Sequence, residues 1–354
     1  MTTLKDLSRH LGLSITQVSR ALNDHGDVSE KTKLRVRDAA KSLNYEANVL
    51  AKRLVTGRSG IVGLVYPVMP DPSDSWYFMK FVAGLSKEFT RLGRQFMLHM
   101  ADDHHNHLDV YDKLVRSRSL DGFIIMTPQV ADERVNFLRS RNVPFVLHGQ
   151  TMDEPDYPFF DIDNMAVGYE LTSYLAEQGH REIAIINGAP GASFVERRFV
   201  GYRQALRDHG LPHRPEFEAA GTMTADLGLL ETVRLFQSDG PKPTGLIASN
   251  LRIAKGIISA VQAMGLRVPE DVAIVAHDDK LPDVSADGLG VPMTTTEAPL
   301  GDSWEPLARF LNATLDGAPL SEVQQIGPHK LIERGAGAGF RGAATPETRR
   351  AKRA

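Results

Sequence analysis

From Gly60 onward the chain alternates short apolar runs with amphipathic ones, and this alternation constrains its fold more than any other feature. Candidate strands are Ile61 to Tyr66, Gln95 to Met100, Gly122 to Met126, Phe145 to Leu147, Ile183 to Asn187, Gly245 to Ser249 and Val272 to His277. Between them, stretches such as Phe78 to Arg91, Val110 to Arg118, Ala166 to Gln178, Arg198 to His209 and Ile253 to Met264 read as helices. Strands that alternate with helices build βαβ units, so the expected class is α/β with doubly wound parallel sheets. Two such lobes account for the span 60–335, one near 60–160 and one near 161–290, with the C-terminal segment crossing back to the first. Sheets of this kind bind ligands outside the carboxyl ends of their strands, which directs attention to the cleft between the lobes.

The first 60 residues have a different character. Leu4, Leu7 and Leu11 form an apolar stripe, and Gly12 stands where a short helix has to stop and reverse. Ser14-Ile15-Thr16-Gln17 is a capping-box pattern that opens a second helix. Val18 and Leu22 share one face of that helix, leaving Thr16, Gln17 and Arg20 outward, the arrangement by which a helix-turn-helix presents a recognition helix to a major groove. By pattern alone, an ordinary helical hairpin with a solvated polar face fits equally well. A third amphipathic helix, Glu30 to Leu43, is expected to turn Leu34, Val36, Ala40 and Leu43 inward. The headpiece is assigned to 1–47. Positions 48–59 follow as a segment with Lys52 and Arg53 on one side and Leu50 and Leu54 on the other, too short to be a stable helix alone.

Charge separates these parts. Residues 1–58 hold 11 Lys and Arg against 6 Asp and Glu (net +5), residues 59–340 hold 25 against 37 (net −12), and the tail 341–354 holds 5 against 1 (net +4). A basic head on an acidic body implies polyanion contact at one end. No run is apolar and long enough to cross a bilayer, and the N-terminus lacks a signal-peptide core, so the expected compartment is the cytoplasm, without membrane contact. With no cysteine, disulfides and thiolate zinc sites are excluded.

The chain resembles the lactose-repressor (LacI/GalR) family of bacterial transcription regulators. The matching residues are Thr3-Leu4-Lys5-Asp6, Gly12-Leu13-Ser14, Val18-Ser19-Arg20, Leu22-Asn23, Val28-Ser29, Asn44-Tyr45, Asn48, Ala51, Leu54 and Thr56-Gly57-Arg58-Ser59, and the resemblance extends to about Gly335. It implies a repressor of a carbohydrate uptake or catabolism operon that binds pseudo-palindromic operator DNA as a homodimer or tetramer and responds to a small sugar. Ile15, Thr16 and Arg20 would lie nearest base edges, with Leu4 beside them at the DNA surface, and Thr3, Ser14, Ser19, Asn23 and Asn48 near phosphates. The paired hinge segments, with Ala51 and Leu54, would enter the central minor groove, where Leu54 wedges between base steps. No cofactor or metal is implied, and no enzyme activity.

Effector candidates follow strand ends. Trp76, Tyr77 and Phe78 suit a platform for a sugar ring or a base, although Phe78 suits the core at least as well. His148 follows the fourth strand. An arginine three positions before a glycine clamps the ligand in the family, which falls on Arg198 before Gly201. Asn250 and Asp278 match the family's pocket asparagine and the first of its paired aspartates. Departures at Leu251, Ala276-His277 and Glu297-Ala298 bear on the ligand's identity and leave the headpiece untouched.

Other features carry less. Asp102 to His107 lacks the i, i+4 spacing of a helical zinc site and reads as a solvated loop. Gly335 to Phe340 precedes no βαβ unit and reads as a linker to a disordered basic tail at 336–354. Ser193 has no nucleophile elbow around it. The competing readings are a stand-alone sugar-binding protein of periplasmic type and a purine- or nucleoside-responsive regulator.

Overall fold

The computed structural model describes residues 2–45, 57–67, 75–101 and 107–335, with residues 67, 75 and 76 described in their backbone only. The chain divides at Gly60/Ile61 into two compact units.

The first unit is a three-helix headpiece of α1 (Leu4–Leu11), α2 (Ile15–Leu22) and α3 (Glu30–Ser42) around Leu7, Leu11, Val18, Ala21, Val36 and Ala39. Gly12 ends α1 with φ 66°, a left-handed cap that a Cβ would strain. Ser14 and Gln17 exchange both bonds of a capping box, and Thr3 and Asp6 do the same at α1. The inward face of α3 is set by Val36, Ala39, Ala40 and Leu43. Contrary to expectation, Leu34 is 58% exposed. It lies about 200° round the helix from Val36, on the outer face. Lys33 takes a buried place instead, laying its stem inward and its amine between Asp24 and Glu30 at 2.9 and 2.8 Å.

The second unit contains two six-stranded sheets. The first comprises β1 (Ile61–Pro67), β2 (Gln95–Ala101), β3 (Gly122–Met126), β4 (Phe145–His148), β5 (Phe159–Ile162) and β11 (Gln324–Gly327), in the order β11-β5-β4-β3-β1-β2 and parallel throughout. The second comprises β6 (Ile183–Asn187), β7 (Glu218–Ala220), β8 (Gly245–Ala248), β9 (Ala273–Asp278), β10 (Thr294–Glu297) and β12 (Lys330–Ile332), in the order β12-β10-β9-β8-β6-β7. Only β12 runs antiparallel to its neighbour among the described pairings. Helices α4 (Ser75–Arg91), α5 (His107–Arg116) and α6 (Glu133–Ser140) belong to the first lobe; α7 (Asn164–Glu177), α8 (Ser193–Asp208), α9 (Ala225–Gln237) and α10 (Leu251–Ala263) belong to the second.

The chain passes between lobes after β5, again between β10 and α11 (Trp304–Leu315), and a third time between β11 and β12. Helix α11 packs Leu307, Phe310 and Leu311 into the first lobe's core with Leu64, Phe81 and Ile124. Every passage therefore has at least one end at the β5/β11 edge of the first sheet or the β10/β12 edge of the second.

Candidate DNA interface and effector cleft

On α2 the buried Val18 and Ala21 fix which side faces outward. Ile15, Thr16, Gln17 and Arg20 are exposed, Ile15 retaining 46% of its surface. Thr3 and Ser14 cap helices with their side chains, and Leu4 is partly buried against the headpiece core. Ser19 is partly buried at the margin of α2, and Asn23 returns its amide to the Ser19 carbonyl at 2.9 Å. Arg20 is held by Asp27, with its Nε 3.1 Å from one carboxylate oxygen and a terminal nitrogen 2.6 Å from the other. Asn48, Ala51 and Leu54 lie outside the described residues.

In the second unit, polar side chains collect at the carboxyl ends of β4, β5, β6, β8 and β9. Arg198, on the second turn of α8, is 5% exposed. Its Nε donates to Asn164 Oδ1 at 3.0 Å and its Nη1 to the Ser249 carbonyl at 2.7 Å. Asn164 in turn donates to Asp161 Oδ1 at 3.0 Å, so one chain of bonds runs from β5 through α7 and α8 to the end of β8. The second oxygen of Asp161 is buried without a partner. Burial pushes this carboxyl up to about 7, against the backbone N–H of Ile162 and the nearby Arg197 and Arg198, which favour its ionised form.

The glycine three residues after Arg198 explains this placement. A Cβ on Gly201 would sit 2.0 Å from the Met165 carbonyl, and one on Gly168 would sit 2.2 Å from the Arg198 carbonyl. Two small residues on facing surfaces let α7 and α8 approach backbone to backbone, bringing Arg198 onto Asn164.

His148 packs against Phe81 with ring centroids 4.9 Å apart, and burial drives its pKa down to about 4 despite Asp279 nearby. Asp279 lies 3.2 Å from His277 Nε2. Burial alone would raise its carboxyl, but His277, Arg198 and His148 outweigh that and hold it below the usual range. His277 is wholly buried, bonded through Nδ1 to Thr296 at 3.0 Å, and is held below its ordinary pKa by burial and by Arg198.

The carboxylate that acts on Arg198 is thus Asp279, while Asp278 lines the small pocket beside it. Asp278 accepts from the Lys280 backbone N–H at 2.7 Å and pairs with its ammonium at 2.9 Å. As the last residue of β9 it faces opposite to His277, whereas Asp279 lies beyond the strand and leaves its alternation. Asn250 caps α10 by accepting from Ile253 N–H at 2.8 Å, and lines a small pocket with Arg252, Asp278 and Asp279. Phe78 belongs to the core, tilted on Tyr66 at 4.3 Å, and the partly buried Tyr77 has its phenol in electrostatic reach of Arg198. Trp76 is described in its backbone only. Sequence reading did not single out Asp161, Asn164, Ser249 and Asp279, of which Ser249 and Asp279 directly follow strands.

The lobes also touch directly. Val130 N–H donates to the Gly191 carbonyl at 2.9 Å, Ser193 N–H to the Pro128 carbonyl at 2.9 Å, and Arg197 to the Thr151 carbonyl at 2.6 Å. The Ser193 hydroxyl donates to the Gln150 carbonyl. These bonds fasten the loops after β3 and β4 to the start of α8.

Comparison with known proteins decides the family. Residues 3–48 match the model of bacterial regulatory proteins of the lacI family, and residues 59–299 match that of periplasmic binding proteins and the sugar binding domain of the LacI family. The chain belongs to the LacI family. A transcriptional regulator of this family, AglR from Rhizobium meliloti (strain 1021), is 33% identical over 333 residues, 94% of this chain and 93% of that one. Among solved structures, the lac repressor dimer bound to operator and the anti-inducer ONPF has a TM-score of 0.75 at 23% identity, covering 96% of this chain and 99% of its own. The regulator CelR in complex with cellobiose has a TM-score of 0.67 at 25% identity, covering 95% and 100%. This LacI family member is a DNA-binding transcriptional regulator with a helix-turn-helix headpiece and a two-lobed core like that of periplasmic binding proteins. Among the described residues no helix is long and apolar enough to cross a membrane.

Proposed function

We propose that the protein is a cytoplasmic, homodimeric repressor of a carbohydrate operon, released from its operator by a sugar bound between the lobes. The observation that carries this reading is Arg198: a guanidinium enclosed at the carboxyl ends of the strands, beside Asn164, Asp161 and Asp279, suits the recognition of hydroxyl pairs. The regulator bound to cellobiose shares the fold, which supports a sugar over a purine. In the headpiece, Ile15, Thr16 and Arg20 read base edges, while Leu4 and the backbone and side chains at Thr3, Ser14, Ser19 and Asn23 approach DNA beside them. Asn48, Ala51 and Leu54 complete the contact in the minor groove. The cleft binds its ligand without transforming it.

Fluorescence anisotropy on an operator selected from a random DNA pool, with mono- and oligosaccharides titrated in, tests the reading. Release by a sugar at micromolar to millimolar concentration is expected. Release by a nucleobase and by no sugar reverses the choice of ligand, and failure to select any DNA sequence removes the regulator assignment.

A further inference from the structure

Resting on the reading of a sugar-controlled regulator, we propose that His277 is a positioning residue of the effector site: from its buried place on β9 it sets the carboxylate of Asp279 beside Arg198, and Thr296 of β10 sets His277 in turn.

The strand register makes the arrangement. Strand β10 runs parallel to β9 with Thr296 paired to His277 and Glu297 to Asp278. Paired residues of neighbouring strands share a face and successive residues alternate, so the two couples stand on opposite faces of the sheet. On one face Lys280 joins Asp278 to Glu297, at 2.9 and 2.7 Å. On the other, Nδ1 of the wholly buried His277 lies 3.0 Å from the Thr296 hydroxyl. Asp279, beyond the strand, turns to this second face and brings its Oδ1 within 3.2 Å of His277 Nε2. The paired aspartates are thereby divided, Asp278 to a lysine and Asp279 to an imidazole.

The partners also assign the hydrogens. Burial and Arg198 disfavour a charged imidazole here, so one ring nitrogen of His277 donates and the other accepts. An ionised Asp279 can only accept, which places the hydrogen on Nε2 and has the Thr296 hydroxyl donate to Nδ1. The Nε2 contact with Asp279 lies off the line of a hydrogen bond, so a turn of the carboxylate toward the imidazole is the move that satisfies this buried donor. Asp279 lines the small pocket with Asn250 and acts on the charge of Arg198. Anchored through one oxygen, it keeps the other for Arg198 or an effector hydroxyl, and a binding group is held in place by just such a locked neighbour behind it. Thr296 belongs to the strand from which the chain passes on to α11, so the same contacts tie the site to one passage between lobes.

Operator release and calorimetry with the full-length protein test this, using glucose, maltose and cellobiose as probes, with a cooperative urea transition to report that each variant is folded. His277→Phe keeps a buried ring and removes both nitrogens. It is expected to weaken the sugar that releases the wild type about tenfold. His277→Gln returns an N–H that can reach Asp279 and should recover most of the loss. The deciding measurement is a double-mutant cycle: if His277 acts through Asp279, His277→Phe combined with Asp279→Ala binds no more weakly than Asp279→Ala alone. Independent losses in the cycle, or a His277→Gln no better than His277→Phe, overturn the inference and leave sugar control standing. Should His277→Phe fail to fold, Thr296→Val removes only the hydroxyl and carries the same cycle with an expected loss of about threefold; an unchanged affinity there overturns the inference as well. A wild type released by adenine and by none of the sugars overturns the sugar reading, and the cycle run with adenine still decides the role of His277. Release by none of the four compounds overturns both.

Discussion

Arg20 and Asp27 hold each other in the headpiece, guanidinium to carboxylate at 3.1 and 2.6 Å, and the pairing keeps the Asp27 carboxyl below the usual range. The donor fork that would read a guanine is therefore already engaged. On the proposed reading Arg20 would exchange this carboxylate for a base edge, with Asp27 competing against loose binding to any DNA. Arg20→Ala is expected to cost ~1–3 kcal/mol of operator affinity and to relax preference at one position per half-site. Asp27→Asn should do the reverse on nonspecific DNA, tightening it modestly and narrowing the gap to the operator. Anisotropy titrations on both DNAs at fixed salt check this, and equal losses on both for Arg20→Ala would remove Arg20 from base reading.

Gly201→Ala should displace α8, because the new methyl would meet the Met165 carbonyl at 2.0 Å. Overpacking of this sort costs about 1–3 kcal/mol. The variant is expected to show a lower urea midpoint and a weaker sugar response, since Arg198 rides on the same helix. A Gly201→Ala protein with wild-type stability and response would mean that the helices separate without consequence for the site.

Ser193→Ala removes one of the bonds that fasten the lobes, namely its hydroxyl to the Gln150 carbonyl. The expected loss is about 0.5–1.5 kcal/mol of the fastened arrangement, a shift of roughly two- to thirteenfold in the equilibrium. If the effector prefers that arrangement, its apparent Kd rises, by at most the same factor. Small-angle scattering of the sugar-free core should show a larger radius of gyration, and unchanged scattering with unchanged sugar affinity would show that the clasp does not govern the lobe angle.

Asp161 and His148 predict opposite dependences on pH. With its pKa raised to about 7, folded Asp161 keeps a proton that the unfolded chain gives up above its ordinary value of 3.8, so its contribution to stability is lost as pH rises toward and past 7. With its pKa lowered to about 4, folded His148 refuses a proton that the unfolded chain takes up below about 6.5, so its contribution is lost as pH falls through that window. Asp161→Asn isolates the first effect. It should gain roughly 1–3 kcal/mol over the wild type at pH 8 and little at pH 5. Urea unfolding at the two pH values is the measurement, and a parallel shift at both would place the cause elsewhere.

Strands β1, β3, β4, β6, β8 and β9 are legible because each is an apolar run buried along most of its length, as parallel strands are, and the partly exposed edge strand β2 is legible from its apolar composition alone. Strand β10 is not: Thr294, Thr295 and Thr296 are fully buried, and their hydroxyls make the sequence look like a polar loop. Strands β11 and β12 are short and sit at sheet edges, where pairing with β5 and β10 defines them more than composition does. Arg198 was found through its spacing from Gly201. Asp161 could not be found that way, because an aspartate inside Phe159-Phe160-Asp161-Ile162 is conspicuous only once Asn164 and Arg198 are seen beside it. The choice between Asp278 and Asp279 turns on where β9 ends, a matter of one residue that pattern reading does not resolve.

The three passages between lobes each touch the β5/β11 border of the first sheet or the β10/β12 border of the second, an arrangement that favours swinging over sliding. Such a border is a fulcrum. Strand β1, into which the chain runs from the headpiece, stands four positions along the sheet from β11, a lever arm of roughly 20 Å at the usual strand spacing. A swing of about 10° would carry that strand roughly 3 Å against the second lobe, so a ligand that alters the lobe angle by a few degrees delivers its largest displacement close to where the DNA-reading half is tethered.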